Sequence, residues 1–553
     1  MFKNIFNLKY IKGDLTGGLV AGVVALPLAL AFGVQSGLGA ISGLYGAIAV
    51  GVLAALFGGT ATQASGPTGP MTVVSAALVA NAIDISGSIE NAMGIIVAAF
   101  LLGGILQILF GLINIAGYIK YFPYPVVSGF MSGVGLIIVI LQIFPFMGLD
   151  SAKSTIAVMK DLPRLFTEFN WQAAALGGVT VAIYYIFPKI TKAIPSALVA
   201  LIAASLLAYF LKWDVPIIGE IPSGLPDLKV DGLLSIDSSA YSLIAEYGLV
   251  LAVLGSIDSL LTSVIADNMT KTKHNSNREL IGQGIGNAVA AMFGGIPGAG
   301  ATKGTVVNIN SGGVTRLSGI FHGLFLLAVL FGLGSLAAHI PLAVLAGILI
   351  PIGFKIVDTK GLKHLTSVPK ADAVVLIVVL LFTTFGSLIQ AVGLGLVLAS
   401  LLFMKKASDI GEEGIEMASL TGFDGEQPWQ DEEKFYNKYK DRVFIKHLYG
   451  PLFFGFSSHF KTQMASIENA DALIIRFEQV PYIDQSGLYA IEDAVLDLKK
   501  KNVKVFLTGV QTQPMDLLTS IDIIPDLISE EHVFDSIEAC FSKVRTELKL
   551  IPA

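Results

Sequence analysis

From about residue 14 to residue 404 the chain alternates long apolar runs with short polar breaks, and many runs reach the roughly 18 residues needed to cross a hydrocarbon core. The pattern predicts an all-α polytopic membrane domain over residues 1–404, with about 14 spanning segments, two of them short. Residues 405–440 are polar and charged, with Gly411-Glu412-Glu413-Gly414 and Asp431-Glu432-Glu433, and read as a linker partly ordered by its neighbours. From Asp441 onward, strand-like runs (Val443-Phe444-Ile445, Ala472–Phe477, Val503–Leu507) alternate with amphipathic stretches near Ser486–Lys499, Pro514–Ser520 and Val533–Leu548. Residues 441–553 therefore read as a small α/β domain.

The membrane part contains an internal repeat. Phe57-Gly58-Gly59 precedes the loop Ser65-Gly66-Pro67-Thr68-Gly69-Pro70, and Phe293-Gly294-Gly295 precedes Pro297-Gly298-Ala299-Gly300-Ala301-Thr302. Each loop leads into a short apolar run, Met71–Ile83 and Thr305–Ile309, too short to cross a bilayer alone. Paired Gly/Pro-broken segments in two halves, about 13–212 and 243–404, predict an inverted-repeat transporter with its site where the repeats meet.

Composition agrees: 54% of the 553 residues are hydrophobic and 14% charged, and the mean hydropathy is +0.72. The single cysteine, Cys540, excludes an internal disulfide and a Cys-based zinc site. Met1–Lys12 is short and basic, and the apolar segment after it lacks a small-residue cleavage site, so it reads as a first spanning helix. With the N-terminus cytoplasmic, basic residues from Lys9 and Lys12 through Lys271, Lys355 and Lys370 to Lys405 and Lys406 gather in inner loops. That bias places both termini and the soluble domain in the cytoplasm and the chain in the inner (plasma) membrane.

Candidate chemistry centres on Asp258, which lies in the apolar stretch Tyr247–Ile265 with Thr262 one turn later. An ionised carboxylate at the centre of a membrane helix costs about 2.5–3.5 kcal/mol, so it faces a cavity, a partner or an ion. Asp258, Thr262 and a loop carbonyl such as that of Gly300 would make an all-oxygen cage for sodium. Two other readings stand beside it: a proton carried by Asp258, and a structural pair with Lys303. The loops offer the complement, because helix starts present N–H groups without intrahelical partners and a positive dipole end. Thr68 and Thr302 supply hydroxyls from opposite halves, unless each merely caps its own helix. His322 and His339 lie in apolar runs and read as packing residues, and Ala266–Lys271 reads as a loop that ends the Asp258 helix. No nucleophile–base arrangement is apparent, so the chain is not read as an enzyme.

Ala25-Leu26-Pro27-Leu28-Ala29-Leu30-Ala31-Phe32-Gly33, Ser65–Val74, Gly255–Thr262 and Pro297–Asn308 resemble the SulP anion permeases, and within them the BicA-type sodium-dependent bicarbonate transporters. Ile483-Asp484-Gln485-Ser486-Gly487-Leu488 resembles the signature loop of a STAS domain. The resemblance implies seven plus seven inverted segments divided into core and gate domains, with a cytoplasmic STAS domain mediating a homodimer. It implies an anion site at Thr68, Gly69, Ala301 and Thr302, and a sodium site at Asp258, Thr262, Gly300 and Thr302. Many relatives carry an arginine in the first turn of the second half-helix; here that position is Gly304 and the basic residue is Lys303, a candidate charge modulator that either snorkels away or neutralises Asp258. Ser486 occupies the position phosphorylated in sporulation regulators, so it is a candidate regulatory site or simply a helix cap.

The expected function is secondary active anion transport, sodium:bicarbonate symport by alternating access, with sodium as the coupling ion and no organic cofactor. The alternatives are a proton-coupled sulfate, dicarboxylate or chloride transporter, and an anion channel or motor-like relative.

Overall fold

The computed structural model describes residues 8–118, 122–150, 154–191, 194–219, 226–413, 417–419, 429, 431–439, 442–452, 460, 464, 467 and 470–550. Residues 1–7 of the basic N-terminal stretch, Gly414 and residues 420–428 of the polar stretch lie outside the described residues. The chain divides into two compact units, Met1–Ala399 and Ser400–Ala553.

Helices dominate the first unit. The first half holds α1 (Ile11–Gln35), α2 (Ala40–Phe57), α3 (Gly69–Ser86), α4 (Ile89–Leu112), α5 (Tyr124–Leu141), α6 (Trp171–Ile190) and α7 (Ser196–Leu211). The second half holds α8 (Tyr241–Thr270), α9 (Ser276–Met292), α10 (Thr302–Asn310), α11 (Arg316–Ala337), α12 (Leu342–Ile356), α13 (Lys370–Phe385) and α14 (Leu388–Glu413). Among the described residues, 7 helices are long and apolar enough to cross a membrane: α1 to α6 and α8.

The helices sort into two packing groups. In one, α9 packs on α4 and α2, α1 on α11 and α2, and α8 on α4; in the other, α5 packs on α13 and α12, and α6 on α12 and α7. The first four helices of each half thus form the core group, and later helices form the gate group. Close approach in the core relies on missing side chains: a Cβ on Gly43 would stand 1.9 Å from the Ala29 carbonyl oxygen, so α1 and α2 touch backbone to backbone.

Against α2 and α8 of the core group the chain crosses itself. Strand β1 (Ser65–Gly66) pairs antiparallel with β2 (Ala299–Gly300), Ser65 opposite Gly300 and Gly66 opposite Ala299. The antiparallel pairing sends the two segments out of the crossing in opposite directions, into α3 and α10. Helix α10 is short, as its sequence predicts, but α3 reaches 18 residues, about 27 Å. It outruns the apolar segment through Asp84–Ser86 and ends at Gly87, whose left-handed backbone, φ 79°, lets its N–H donate to the Ile83 carbonyl at 2.7 Å. Helix α8 likewise continues through Ala266–Thr270, read above as loop, and stops at Lys271 in the left-handed region, φ 56°. The Asp267 carboxylate holds that end by accepting from the His274 backbone N–H at 3.0 Å.

The second unit is a five-stranded sheet in the order β3 (Met417–Ser419), β4 (Val443–Tyr449), β5 (Ala472–Gln479), β6 (Lys504–Thr508), β7 (Val533–Phe534). Strand β3 is antiparallel to β4; the other pairs are parallel. The stretch 405–440 is therefore more than a tether: it supplies the edge strand β3 and the helix α15 (Glu433–Tyr439), whose Phe435 stacks on Phe541 at 4.0 Å between centroids. Val533–Phe534, expected in a helix, is strand β7, and α18 (Ile537–Glu547) starts after the Ser536 cap. Helices α16 (Gln485–Lys500) and α17 (Thr512–Ser520) fall where their amphipathic patterns put them. The cap of α16 is Asp484, which accepts from Gly487 N–H at 2.8 Å, and not Ser486, which sits inside the first turn: the carboxylate is the stronger acceptor at a helix start. Burial pushes the Cys540 thiol up to about 12, so it is an inert core side chain.

The crossing gives a test with an internal control. A Cβ on Gly298 would lie 2.3 Å from both C and O of Gly66, whereas one on Gly66 would meet Ala47 Cα at an ordinary 3.5 Å. Gly298→Ala is expected to destabilise the detergent-purified protein by about 1–3 kcal/mol, and Gly66→Ala by no more than about 0.5 kcal/mol. Thermal unfolding checks this, and equal shifts for the two variants contradict the geometry.

Candidate functional site

The site is built around two helix starts and one side of α8. Thr68 stands at the start of α3 with extended backbone, φ −121° and ψ 161°, and its side chain makes no capping bond. Its hydroxyl is buried and faces the Asp258 carboxylate without closing a well-formed hydrogen bond to it. Capping therefore does not explain Thr68. At the other start, Ala301 precedes α10 and Thr302 is its first residue; the Thr302 hydroxyl pairs with the Thr262 hydroxyl at 2.8 Å.

Proton counting on that pair is informative. Thr262 donates to the Gly300 carbonyl at 2.9 Å, which uses its only hydroxyl proton. Thr302 must then donate to Thr262, and its own oxygen keeps its lone pairs. Asp258 lies one turn before Thr262 on α8, and its Oδ2 is buried without a partner. Thr262, Gly300 and Thr302 are thus joined directly, with Asp258 on the adjoining wall. The donor set is all oxygen and includes one uncompensated carboxylate atom, which suits a hard cation.

Asp258, Thr68, Gly69, Gly300, Ala301, Thr302 and Lys303 all line one cavity of about 300 Å³. Much of the rest of its wall is apolar, from Val24, Leu28 and Phe32 of α1 to Ile352 and Ile356 of α12. The cavity therefore lies between the two helix groups, the setting in which a small ligand is enclosed by apolar surface with a few converging polar groups. Lys303 makes no salt bridge with Asp258 among the described residues, and Lys355 lines the same cavity as Lys303. The pairing that would have made Asp258 a packing device is absent here.

Three residues of the site escaped the sequence reading. Lys355, taken as an inner-loop residue, sits in the last turn of α12 and lines the cavity. His322, read as packing, lines it too and keeps Nδ1 buried without a partner. Glu279 lies behind the site, 1% exposed, and its carboxylate accepts four hydrogen bonds. The donors are the Gly59 and Thr60 N–H groups at 2.8 Å and the Gln63 and Gln283 amides at 2.9 Å. Gln63 in turn accepts from Ser263 on α8 at 2.9 Å, and Gln283 donates to Ser65 of β1 at 2.6 Å. Farther along α9, Asn287 takes the Gly298 N–H at 2.8 Å and donates to its carbonyl at 3.0 Å. The signal was present as a polar stripe, Glu279, Gln283 and Asn287, spaced by four on one helix face.

Residues 11–379 match the Sulfate permease family and residues 437–540 match the STAS domain. The bicarbonate transporter BicA of Picosynechococcus sp. is 41% identical over 516 residues, 92% of this chain and 90% of that protein. The solved transmembrane domain of a cyanobacterial bicarbonate transporter BicA is 42% identical, covering 72% of this chain and all of that one with a TM-score of 0.65. The murine Slc26a9 anion transporter is 19% identical and shares the fold over 97% of this chain and 92% of its own, TM-score 0.82.

Glu279 yields the prediction for this scaffold. Replacing it by Gln puts an amide N–H against groups that are all donors, so Glu279→Gln is expected to cost about 3 kcal/mol. The same change at exposed Glu90 is expected to cost nothing measurable. Unfolding midpoints of the two variants, compared with the parent protein, check the difference; a Glu279→Gln midpoint matching that of Glu90→Gln contradicts it.

Proposed function

Since this chain belongs to the sulfate permease family and carries a STAS domain, we propose that it is a sodium-coupled bicarbonate symporter working by alternating access. It is a polytopic membrane transporter of anions, not an enzyme. The observation that carries the finer reading is the company Asp258 keeps: an orphaned carboxylate oxygen in the same cavity as the Thr68 and Thr302 helix starts. The high identity to BicA supports bicarbonate as the cargo.

In this reading sodium binds among Asp258, Thr262, Gly300 and Thr302, and the anion binds at Thr68, Gly69, Ala301 and Thr302. Coupling is electrostatic. With Asp258 ionised and bare, the cavity repels an anion; with a cation beside it, the two helix starts attract one. Unit charges near 4 Å apart interact by about 4 kcal/mol at an effective dielectric of 20, so anion binding without the cation weakens by about three orders of magnitude. The apolar walls belong to different helix groups, and sliding of the core group against the gate group would expose the site to one side and then the other. The basic-loop bias supports cytoplasmic termini and an inner-membrane location, and the STAS unit is proposed to mediate a homodimer. Ser486, in the first turn of α16, is part of this proposal as a phosphorylation site.

Labelled bicarbonate uptake into proteoliposomes, with and without an inward sodium gradient, tests the coupling. The parent protein is expected to need sodium, and Asp258→Asn to lose at least about tenfold of the sodium-driven rate. Equal, sodium-independent uptake by both proteins overturns the proposal.

A further inference from the structure

We infer that Lys355 and Lys303, with the Tyr184 hydroxyl, form a second holding position for a small oxyanion, between the central cavity and its outlet. The inference rests on the reading that the central cavity carries an anion.

The central cavity opens into a larger one of about 650 Å³, and Val24, Leu28, Thr302, Lys303 and Ile352 belong to the walls of both. The larger cavity continues past Val306, Asn310 and Ser311 at the far end of α10. An anion leaving the helix starts by this route passes the two lysines. Lys303 projects from the first turn of α10 in the core group, and Lys355 from the last turn of α12 in the gate group. Both line the central cavity. Among the described residues Asp258 is the sole acidic one lining either cavity, so once a cation has neutralised it the lining is left with two positive charges.

Tyr184 gives the position its shape. Lys355 Nζ donates to the Tyr184 hydroxyl at 3.1 Å and lies 4.5 Å from the ring centroid, which fixes the ammonium against α6. Because the hydroxyl oxygen is the acceptor there, its proton is left to donate to an anion oxygen. Two ammonium groups and one O–H, converging from both helix groups, match an anion with several acceptor oxygens better than a halide. The arrangement also has a mechanical consequence. Without an anion the lysines push the core and gate groups apart on this side; an anion between them turns one repulsion into two attractions and draws the walls together.

The test uses bicarbonate uptake in proteoliposomes, with the KM for bicarbonate and the KM for sodium measured separately for Lys355→Gln, Lys355→Arg and Tyr184→Phe. Lys355→Gln is expected to raise the bicarbonate KM about tenfold, the worth of one charge-assisted contact, and to leave the sodium KM unchanged. Lys355→Arg, which keeps the charge, is expected to restore the bicarbonate KM, and Tyr184→Phe to raise it by a smaller factor. Elution as a single species of unchanged size shows that each variant is folded; should Lys355→Gln not fold, the Arg and Phe variants carry the test. An unchanged bicarbonate KM in Lys355→Gln, or a loss that Lys355→Arg does not repair, overturns this inference while sodium-driven uptake by the parent protein leaves the symport reading standing. Failure of the symport reading shows instead in the parent protein, as uptake indifferent to sodium.

Discussion

Everything in the membrane unit depends on satisfying a piece of non-helical backbone deep among apolar helices. Hydrocarbon offers no hydrogen bonds, so irregular backbone at that depth persists only where protein groups satisfy it. Here the two loops satisfy each other through the antiparallel β1–β2 pair, extended by Ala301 N–H donating to the Ala64 carbonyl at 2.8 Å. What the pair leaves over is taken by side chains: Ser259 accepts the Gly300 N–H at 3.1 Å, Asn287 brackets Gly298, and Glu279 holds the Gly59–Gln63 stretch. Glycine is demanded because these partners come to backbone distance. With the crossing closed in this way, the first residues of α3 and α10, Gly69 and Thr302, both line the cavity.

The same economy explains why a carboxylate is retained at position 258. A site made of helix starts alone would attract any anion under all conditions. On the proposed reading, a buried carboxylate placed against it would make the attraction conditional on a cation, and the Thr262–Thr302–Gly300 hydrogen bonds would hold the oxygens proposed to face that cation in place beforehand. Glu279 has the opposite role. Its charge is spent on four donors and none is left over for a ligand. Two buried acids on neighbouring helices thus differ in function because one is saturated and the other is not.

Sequence pattern revealed those features whose signal is local. Gly/Pro loops at matched places in two halves announced the broken helices, and an acid with a hydroxyl four residues later announced one face of α8. Features that arise from contacts across the fold stayed hidden. Lys355 looked like a loop residue because a lysine near a helix end is ordinarily a flank of the span; its role comes from Lys303 lying across the cavity. The ends of α3 and α8 were misplaced because apolar content stops before the helix does: α3 runs on to a left-handed glycine cap at Gly87, and the Asp267 carboxylate accepts from His274 N–H just beyond α8. In the polar stretch after residue 404, Met417–Ser419 is too short to show a strand period and becomes a strand only because β4 offers it an edge.

The distribution of charge along the pathway bears on direction as well as affinity. On the proposed pathway the anion at the helix starts would be held by backbone dipoles, which are fixed and carry no net charge, and farther out it would meet the ammonium groups of Lys303 and Lys355. A single strong site would slow release, whereas a graded pair lets the anion move from one partial hold to the next, with each hold too weak to trap it. Because the outer hold spans two helix groups and the inner one belongs to the core group alone, movement of the anion between them changes the force across the group boundary. On this proposal cargo position and domain position would be linked through Coulomb interactions over short distances in a poorly screened cavity, where such forces act most strongly.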